Sequence, residues 1–117
     1  MYYNIVIMVM TPLGEFEQVV LLAILRLGDA AYGVSIREEI KECTSRTVSP
    51  GALYTTLDRL ERKGMLLSRS GEPTAARGGR AKRFYAVTSR GRSRLIEVQT
   101  DFQRLLVGLE LLGESHG

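Results

Sequence analysis

The chain has 117 residues, of which 44% are hydrophobic, and a formal net charge of +3 at pH 7. This length favours one domain, and this hydrophobic content argues against a chain that is disordered throughout. The single cysteine excludes an intrachain disulfide, which fits the reducing cytoplasm where we expect the protein to work. One cysteine and one histidine provide neither a zinc site nor a catalytic pair, so we expect no metal, no cofactor and no enzyme activity.

The positive charge is concentrated in one block of the sequence. Residues 1–48 carry four Lys/Arg and six Asp/Glu, a net charge of −2. Residues 49–94 carry eleven and three, a net charge of +8, and residues 95–117 carry one and four, a net charge of −3. Such a block is typical of a surface that binds a polyanion, most often nucleic acid. The alternative is a well-solvated basic surface that has no partner.

The first ten residues, MYYNIVIMVM, are apolar but too short to cross a bilayer. They also lack the basic segment and the small-residue cleavage site of a signal peptide. Because Met10 resembles a natural start, we predict that residues 1–9 are an N-terminal apolar extension and that the domain begins at residue 10. We expect no membrane partner.

Two helices are predicted before residue 49. Residues 13–27 place apolar side chains at helical spacing on one broad face, as expected of a central core helix, and a Gly-Asp pair ends the segment. In the segment that follows, Ile36, Ile40 and Cys43 share one face, and Arg37 is expected on the outward face. We therefore expect Cys43 to be a small core residue.

A third helix is predicted from the stretch SPGALYTTLDRLERKGML. Ser49 is a good N-cap, Pro50 suits the first helical position, and Gly64 suits the left-handed residue after the helix. Three leucines form one apolar stripe: Leu53, Leu57 and Leu60. The opposite face carries polar side chains that need a partner: Tyr54, Thr55, Asp58, Arg59 and Arg62.

A β-hairpin is predicted after Gly64. The segments MLLSRS (65–70) and KRFYAVT (82–88) have strand composition, and a loop rich in glycine and small residues lies between them. Four cations cluster near the tip of this hairpin: Arg77, Arg80, Lys82 and Arg83. The loop lacks the motifs of a P-loop or a dinucleotide-binding turn, so a nucleotide phosphate site is weakly supported.

The last predicted helix follows a cap at Thr88 or Ser89. Apolar residues spaced 3, 4, 3, 4 and 3 apart form a heptad-like seam: Leu95, Val98, Phe102, Leu105, Leu109 and Leu112. We expect this seam to pair with a second copy of the chain, because a chain of this size buries a small core. The alternative is a helix that folds back on its own domain.

Three helices, a hairpin and a final helix give the order of a winged helix-turn-helix domain. The predicted fold class is mainly α with a small β-hairpin, in which residues 10–88 form the DNA-binding domain and residues 89–117 the dimerisation helix and tail. In helix-turn-helix proteins the N-terminal residues of the recognition helix contact base edges in the major groove. Here that end of the helix is SPGALYTT, whose small residues allow a close approach.

Three segments of the chain carry a family resemblance. The runs LGEFEQVVLLAILRLGDAAYGVSIREEI, VSPGALYTTLDRLERKGML and GEPTAARGGRAKRFYAVTSRGRSRL resemble the PadR family of transcriptional regulators over about residues 12–95. The resemblance implies a bacterial winged-helix repressor that binds double-stranded DNA as a homodimer through its C-terminal helix. It implies these DNA contacts: Ser49, Gly51, Tyr54, Thr55, Arg59, Arg77, Arg80, Lys82 and Arg83. Tyr32 matches the family's aromatic position before the second helix, where it either contacts DNA phosphate or packs.

The chain resembles the short subgroup of this family, which has one C-terminal helix. It lacks tryptophan, which some short members use to stack planar ligands at the dimer centre. A small hydrophobic effector between the two last helices is therefore an expectation without a known binding residue. The alternative function is a winged-helix module for protein–protein assembly, in which the basic block binds an acidic partner. An enzyme is a poor third, because no set of nucleophile, base and orienting group is present.

Overall fold

The computed structural model describes residues 12–71 and 82–111. In chain order these residues form α1 (Glu15–Leu27), a 3-10 turn (Gly28–Ala30), α2 (Gly33–Thr44), α3 (Pro50–Arg62), β1 (Leu66–Ser70), β2 (Arg83–Val87) and α4 (Ser89–Leu106). This order confirms the predicted fold class. The predicted extension at residues 1–9 lies outside the described residues.

The helices begin and end where local chemistry predicts. The Ser49 hydroxyl accepts a hydrogen bond from the Ala52 N–H at 3.1 Å, and Pro50 occupies the first position of α3. Gly28 and Gly64, which follow α1 and α3, have φ values of +59° and +78°. Glycine adopts this left-handed region without steric cost, which explains why both helices stop there.

One apolar core lies between the first three helices and the inner face of the hairpin. Its largest fully buried side chains are Val20, Leu21, Ile24, Ile36, Ile40, Leu53, Leu57, Leu60, Met65 and Leu66. The predicted leucine stripe of α3 is therefore confirmed as structural. The prediction for Cys43 is wrong, because this residue is exposed in the last turn of α2 and its Sγ lies 3.5 Å from Glu39 Oε2. The final turn of α2 extends past the edge of the core.

The two predicted strands pair as an antiparallel hairpin, with Leu66 opposite Val87 and Ser70 opposite Arg83. On its other side β2 contacts the turn before α2, where Tyr32 forms an isolated bridge to Phe84. The Tyr85 N–H donates to the Ala31 carbonyl at 2.9 Å. These bonds attach the wing to the start of the helix-turn-helix. The predicted tip cations Arg77 and Arg80 lie outside the described residues.

The last helix begins against the body of the domain. The Thr88 hydroxyl accepts from the Gly91 N–H at 3.1 Å and donates to the Gly64 carbonyl at 2.7 Å. Leu95 is buried in the core, and Val98 packs against it. The first half of α4 thus packs against the core of the winged domain.

The predicted seam does not run along one continuous helix. The helix ends at Leu106, because Val107 takes an extended conformation (ψ 127°) and Gly108 a left-handed one (φ +85°). Leu109 therefore lies beyond the helix, and Leu112 lies outside the described residues. Glycine is a poor helix former, and here it ends the helix before the apolar repeat is complete.

Within residues 12–71 and 82–111, no helix has the length and apolar character needed to cross a membrane. The same residues contain no cluster of side chains arranged to hold a metal ion.

Candidate nucleic-acid interface

The first turns of α3 form an exposed polar surface that the core supports from behind. Leu53 and Leu57 are buried, whereas Ser49, Tyr54 and Thr55 on the opposite side are exposed. At Gly51 a Cβ atom would meet no other atom within 4 Å, so this part of the helix faces open space. A rigid helix with small and hydroxyl-bearing residues at its exposed N-terminal end suits insertion into a DNA groove.

Tyr54 also fixes the contact between α3 and α2. A Cβ atom at Gly33 would lie 2.0 Å from the Tyr54 hydroxyl oxygen, so this close approach requires glycine. The side chain of Tyr54 is nevertheless 48% exposed. The aromatic ring therefore packs at the helix-turn-helix junction while part of it remains available to a ligand.

Arg59 lies one turn further along α3 and is paired with an acid. Its Nε donates to Glu17 Oε2 at 2.8 Å, and Lys63 Nζ lies 2.8 Å from both carboxylate oxygens of Glu17. Glu17 is 3% exposed, whereas the Arg59 side chain is 45% exposed. The structure thus holds Arg59 at the edge of the polar surface through a buried carboxylate on α1.

The ionisation of Glu17 follows from these partners. Burial alone raises the pKa of the carboxyl group, but the hydrogen bonds from Lys63 and Arg59, together with one from the Gly14 N–H, lower it below its usual value. Glu17 is therefore ionised at neutral pH. Sequence reasoning missed this residue because Arg59 and Lys63 lie more than forty positions away in the chain.

The half-buried side chain of Arg37 holds the turn between α2 and α3. Arg37, which was expected on an outward face, is half-buried, and its Nε donates to the Val48 carbonyl at 2.8 Å. Arg46 in the same turn pairs with Glu15 of α1 at 2.8 Å. These bonds connect the turn before α3 to α2 and α1.

Two of the four predicted wing cations fall within the described residues. Lys82 Nζ lies 4.0 Å from the centroid of the Tyr32 ring, so the structure brings these two predicted site residues together. Arg83 Nη1 donates to Ser68 Oγ at 2.8 Å, and Ser68 in turn donates to Glu61 at the end of α3 at 2.6 Å. The base of the wing is thus connected to both helices of the helix-turn-helix.

The apolar residues predicted for dimerisation separate into two groups. Leu95 and Val98 contact the domain core, whereas Phe102 and Leu105 are 54% and 71% exposed. Beyond the helix, Leu109 is 59% exposed. Exposed apolar residues of this size at successive positions are typical of a surface that is covered by another chain.

Comparison with known proteins agrees with this arrangement. Residues 21–97, more than half of the chain, match the "Transcriptional regulator PadR-like family". Transcriptional regulator Rv3488 of Mycobacterium tuberculosis is 38% identical over 86 residues, which cover 73% of this chain and 74% of the relative.

Solved structures show the same fold. A PadR-like transcription factor from Bacteroides fragilis superposes with a TM-score of 0.64 and 28% identity, covering 77% of this chain and 82% of the other. A PadR family transcription regulator from Clostridium difficile R20291 gives 0.61 and 25%, covering 87% and 99%. The winged-helix geometry, the exposed polar face of α3 and these relatives lead to one conclusion: the chain belongs to the PadR-like family of transcriptional regulators, which are DNA-binding regulators and not enzymes.

Proposed function

We propose that the chain is a repressor that binds an inverted-repeat operator in double-stranded DNA as a homodimer. The observation that carries this proposal is the exposed polar N-terminal end of α3, supported from behind by the buried Leu53 and Leu57. This surface lies in the segment of residues 49–94, whose net charge is +8. Repression requires only that the protein occupies its operator, which such an interface provides.

The proposed contacts divide into two kinds. On α3, hydroxyl and small residues face the major groove and read base edges or their flanking phosphates: Ser49, Gly51, Tyr54 and Thr55. On the wing and beside it, cations and one aromatic residue contact the backbone: Tyr32, Arg77, Arg80, Lys82 and Arg83. Arg59 contributes to a phosphate contact: its Nε pairs with Glu17 and its Nη2 lies 3.4 Å from the Thr56 hydroxyl, and the side chain is still 45% exposed.

The proposed dimer forms through the second half of α4. Phe102 and Leu105 provide exposed apolar surface there, and Leu109 extends it beyond the helix. Leu112, outside the described residues, is the last member of the proposed seam. Leu95 and Val98 contribute indirectly, because they fix α4 on the domain from which it projects. A two-fold axis between such helices places two copies of α3 on half-sites about one DNA turn apart, roughly 34–36 Å.

A small hydrophobic effector completes the proposal. A groove of about 310 Å³ lies between α1 and α4, and Leu22, Leu25, Leu95 and Ile96 are among its lining residues. A hydrophobic ligand bound there contacts the helix that orients the dimer. Thermal-shift screening with planar hydrophobic compounds tests this step: a compound that stabilises the wild type should lose its effect on Ile96→Gln.

The central experiment is a mobility-shift assay with the region upstream of the chain's own gene and a shuffled duplex of the same composition. We expect preferential binding to the upstream duplex, and affinity that falls steeply between about 50 and 200 mM salt as counterions leave the phosphates. Equal binding to both duplexes, or affinity that is independent of salt, contradicts the proposal. Binding of an acidic protein in place of DNA would favour the assembly module.

Two variants test the division of contacts. Thr55→Val should weaken binding to the preferred duplex more than to the shuffled one, because it removes a hydroxyl from the reading surface. Arg80→Ala should weaken both about equally and lower the salt slope by roughly one per subunit. Loss of specificity in Arg80→Ala alone would show that the wing, rather than α3, reads the sequence.

A further inference from the structure

Four side chains alternate between cation and ring where the two strands of the hairpin meet the loop of the wing. Arg69 Cζ lies 4.8 Å from the centroid of the Phe84 ring, and Lys82 Nζ lies 4.0 Å from that of Tyr32. The two rings are 5.5 Å apart and tilted by 57°. We name Arg69, Phe84, Tyr32 and Lys82 the wing-base cluster.

Backbone contacts fix the two rings. Phe84 lies directly opposite Arg69 in the hairpin register and forms the bridge to Tyr32. The Gly71 N–H donates to the Lys82 carbonyl at 2.7 Å, and a Cβ atom at Gly71 would lie 2.6 Å from an edge carbon of Phe84. The backbone therefore places the two rings beside each other and beside the two cations.

The two cations have no acidic partner among the described residues. Ion pairs there involve Arg26, Arg46, Arg59, Arg62, Lys63 and Arg94, but neither Arg69 nor Lys82. A guanidinium that stacks on a ring uses its face, so its N–H groups stay in the plane and remain available to an acceptor. A carboxylate partner would occupy those same N–H groups.

We propose that Arg69 is a further contact to DNA phosphate, and that Phe84 is the residue that positions it. Lys82 is held over Tyr32 in the same way. This inference rests on the proposed DNA-binding function and extends the contact surface from the tip of the wing to its base. Stacking orders each cation before DNA arrives, which lowers the entropy lost on binding.

The first test removes one charge from the cluster. The dimer carries two copies of Arg69, so Arg69→Gln removes one charge-assisted hydrogen bond per subunit and should weaken binding to the preferred and the shuffled duplex by about tenfold per subunit. It should also lower the salt slope by about 0.9 per subunit. Arg26→Gln is the matched control. It removes the same charge from an exposed arginine of α1 that pairs with Glu39 of α2, and it should leave the salt slope unchanged.

The second test separates positioning from wing stability. Phe84→Leu should weaken DNA binding about two- to fivefold in the wild-type background, as the loss of one exposed cation–π contact predicts. In the Arg69→Gln background it should have no further effect. A ring that merely stabilises the wing would weaken binding in both backgrounds and lower the melting temperature in parallel.

Tyr32 provides a third comparison. Tyr32→Phe keeps the ring face under Lys82 but removes the hydroxyl of the proposed backbone contact, so it should lose less affinity than Tyr32→Leu, which removes both. If Tyr32→Phe loses as much as Tyr32→Leu, the hydroxyl rather than the ring is the important group, and the positioning role assigned to this ring is refuted.

The outcomes for the two proposals are distinct. If the wild type binds DNA and Arg80→Ala lowers the salt slope while Arg69→Gln does not, the DNA-binding function stands and the role of Arg69 is refuted. If the wild type binds no duplex, the proposed function fails and this inference fails with it.

Discussion

Glu17 of α1 connects the first helix to α3 and to the residue that follows it, through Arg59 and Lys63. It is buried, accepts hydrogen bonds from Lys63, Arg59 and the Gly14 N–H, and has a lowered pKa as a result. When a carboxylate is stabilised in the folded state, its protonation lowers the free energy of unfolding. This contribution is fully present above the unfolded pKa of about 4.5 and is lost as the pH falls through the lower folded pKa.

We therefore expect acid unfolding to depend on Glu17. Glu17→Gln should cost about 1–3 kcal/mol at pH 7, since it leaves two cations against a neutral amide. It should also flatten the loss of stability below pH 4.5. Chemical denaturation at several pH values measures both effects. Glu15→Gln is the control, because its pair with Arg46 is exposed and should contribute less than about 1 kcal/mol. Equal slopes for wild type and Glu17→Gln would contradict the assignment.

Two glycines in helices should respond in opposite ways to the same substitution. Gly91 in the first turn of α4 faces the Met65 carbonyl, which an added Cβ would meet at 2.6 Å. Because that neighbour is backbone and cannot move aside, Gly91→Ala should destabilise the protein. Gly51 has no neighbour within 4 Å, so Gly51→Ala should stabilise α3 by up to about 0.5–1 kcal/mol.

Thermal melting distinguishes these two variants, and DNA binding provides a second comparison. Gly51→Ala should bind DNA more weakly even though it is more stable, if the proposed approach of α3 to DNA is correct. A stable variant with unchanged affinity would remove Gly51 from the interface.

At the scale of elements, features that depend on neighbouring residues in the chain could be predicted. The cap at Ser49, the glycine after α3, the leucine stripe and the two strands were all predicted from local spacing, and the structure confirms them. The seam was predicted to continue past Leu106, where α4 ends, because a heptad count takes no account of the backbone conformation of Gly108.

The polar contacts of the site could not be predicted in the same way. Glu17 looks like an ordinary first-turn acid, and Arg69 like an ordinary strand residue. Their importance comes from Arg59 and Phe84, which only the tertiary fold brings near. The prediction that Cys43 is a core residue was wrong for a related reason. Helical periodicity gives the face on which a residue lies but not where the core ends.

The packing of α3 gives a stability prediction for the element itself. Leu57→Ala should cost about 2–5 kcal/mol, because it removes buried methyl groups and leaves a cavity. Leu67→Ala is the control, since Leu67 is 66% exposed on the outer face of β1 and should cost less than about 0.5 kcal/mol. Urea unfolding measures both. Wild-type stability in Leu57→Ala with loss of DNA binding would mean that the stripe faces DNA.

For the whole molecule, α4 serves two different environments. Its first half is held in the core by Leu95, and its second half carries Phe102 and Leu105 into solvent. A substitution in the second half should therefore leave the domain folded, and it tests the proposed dimer.

We expect Phe102→Asp and Leu105→Asp to be folded monomers with greatly reduced affinity for the operator, because a charge in an apolar interface is costly without a partner. Light scattering and the mobility-shift assay measure the two effects. Arg104→Asp is the control: it changes an exposed residue that lies about half a turn around the same helix from Phe102. A wild type that is monomeric at micromolar concentration, or a monomeric variant with full affinity, would contradict the dimer.

The single hydroxyl of Thr88 connects the end of α3 to the start of α4. It donates to the Gly64 carbonyl just beyond α3 and accepts from the Gly91 N–H in the first turn of α4, so it is one of the contacts that orient α3. The 13 residues of α3 span about 20 Å, and a tilt of about 10° at this end would move the far end by about 3 Å, close to the rise of one base pair. Thr88→Val keeps the shape and removes both bonds. It should reduce the ratio of affinities for the preferred and the shuffled duplex while leaving most of the salt-dependent affinity intact. The charges stay in place, and only the orientation of α3 changes.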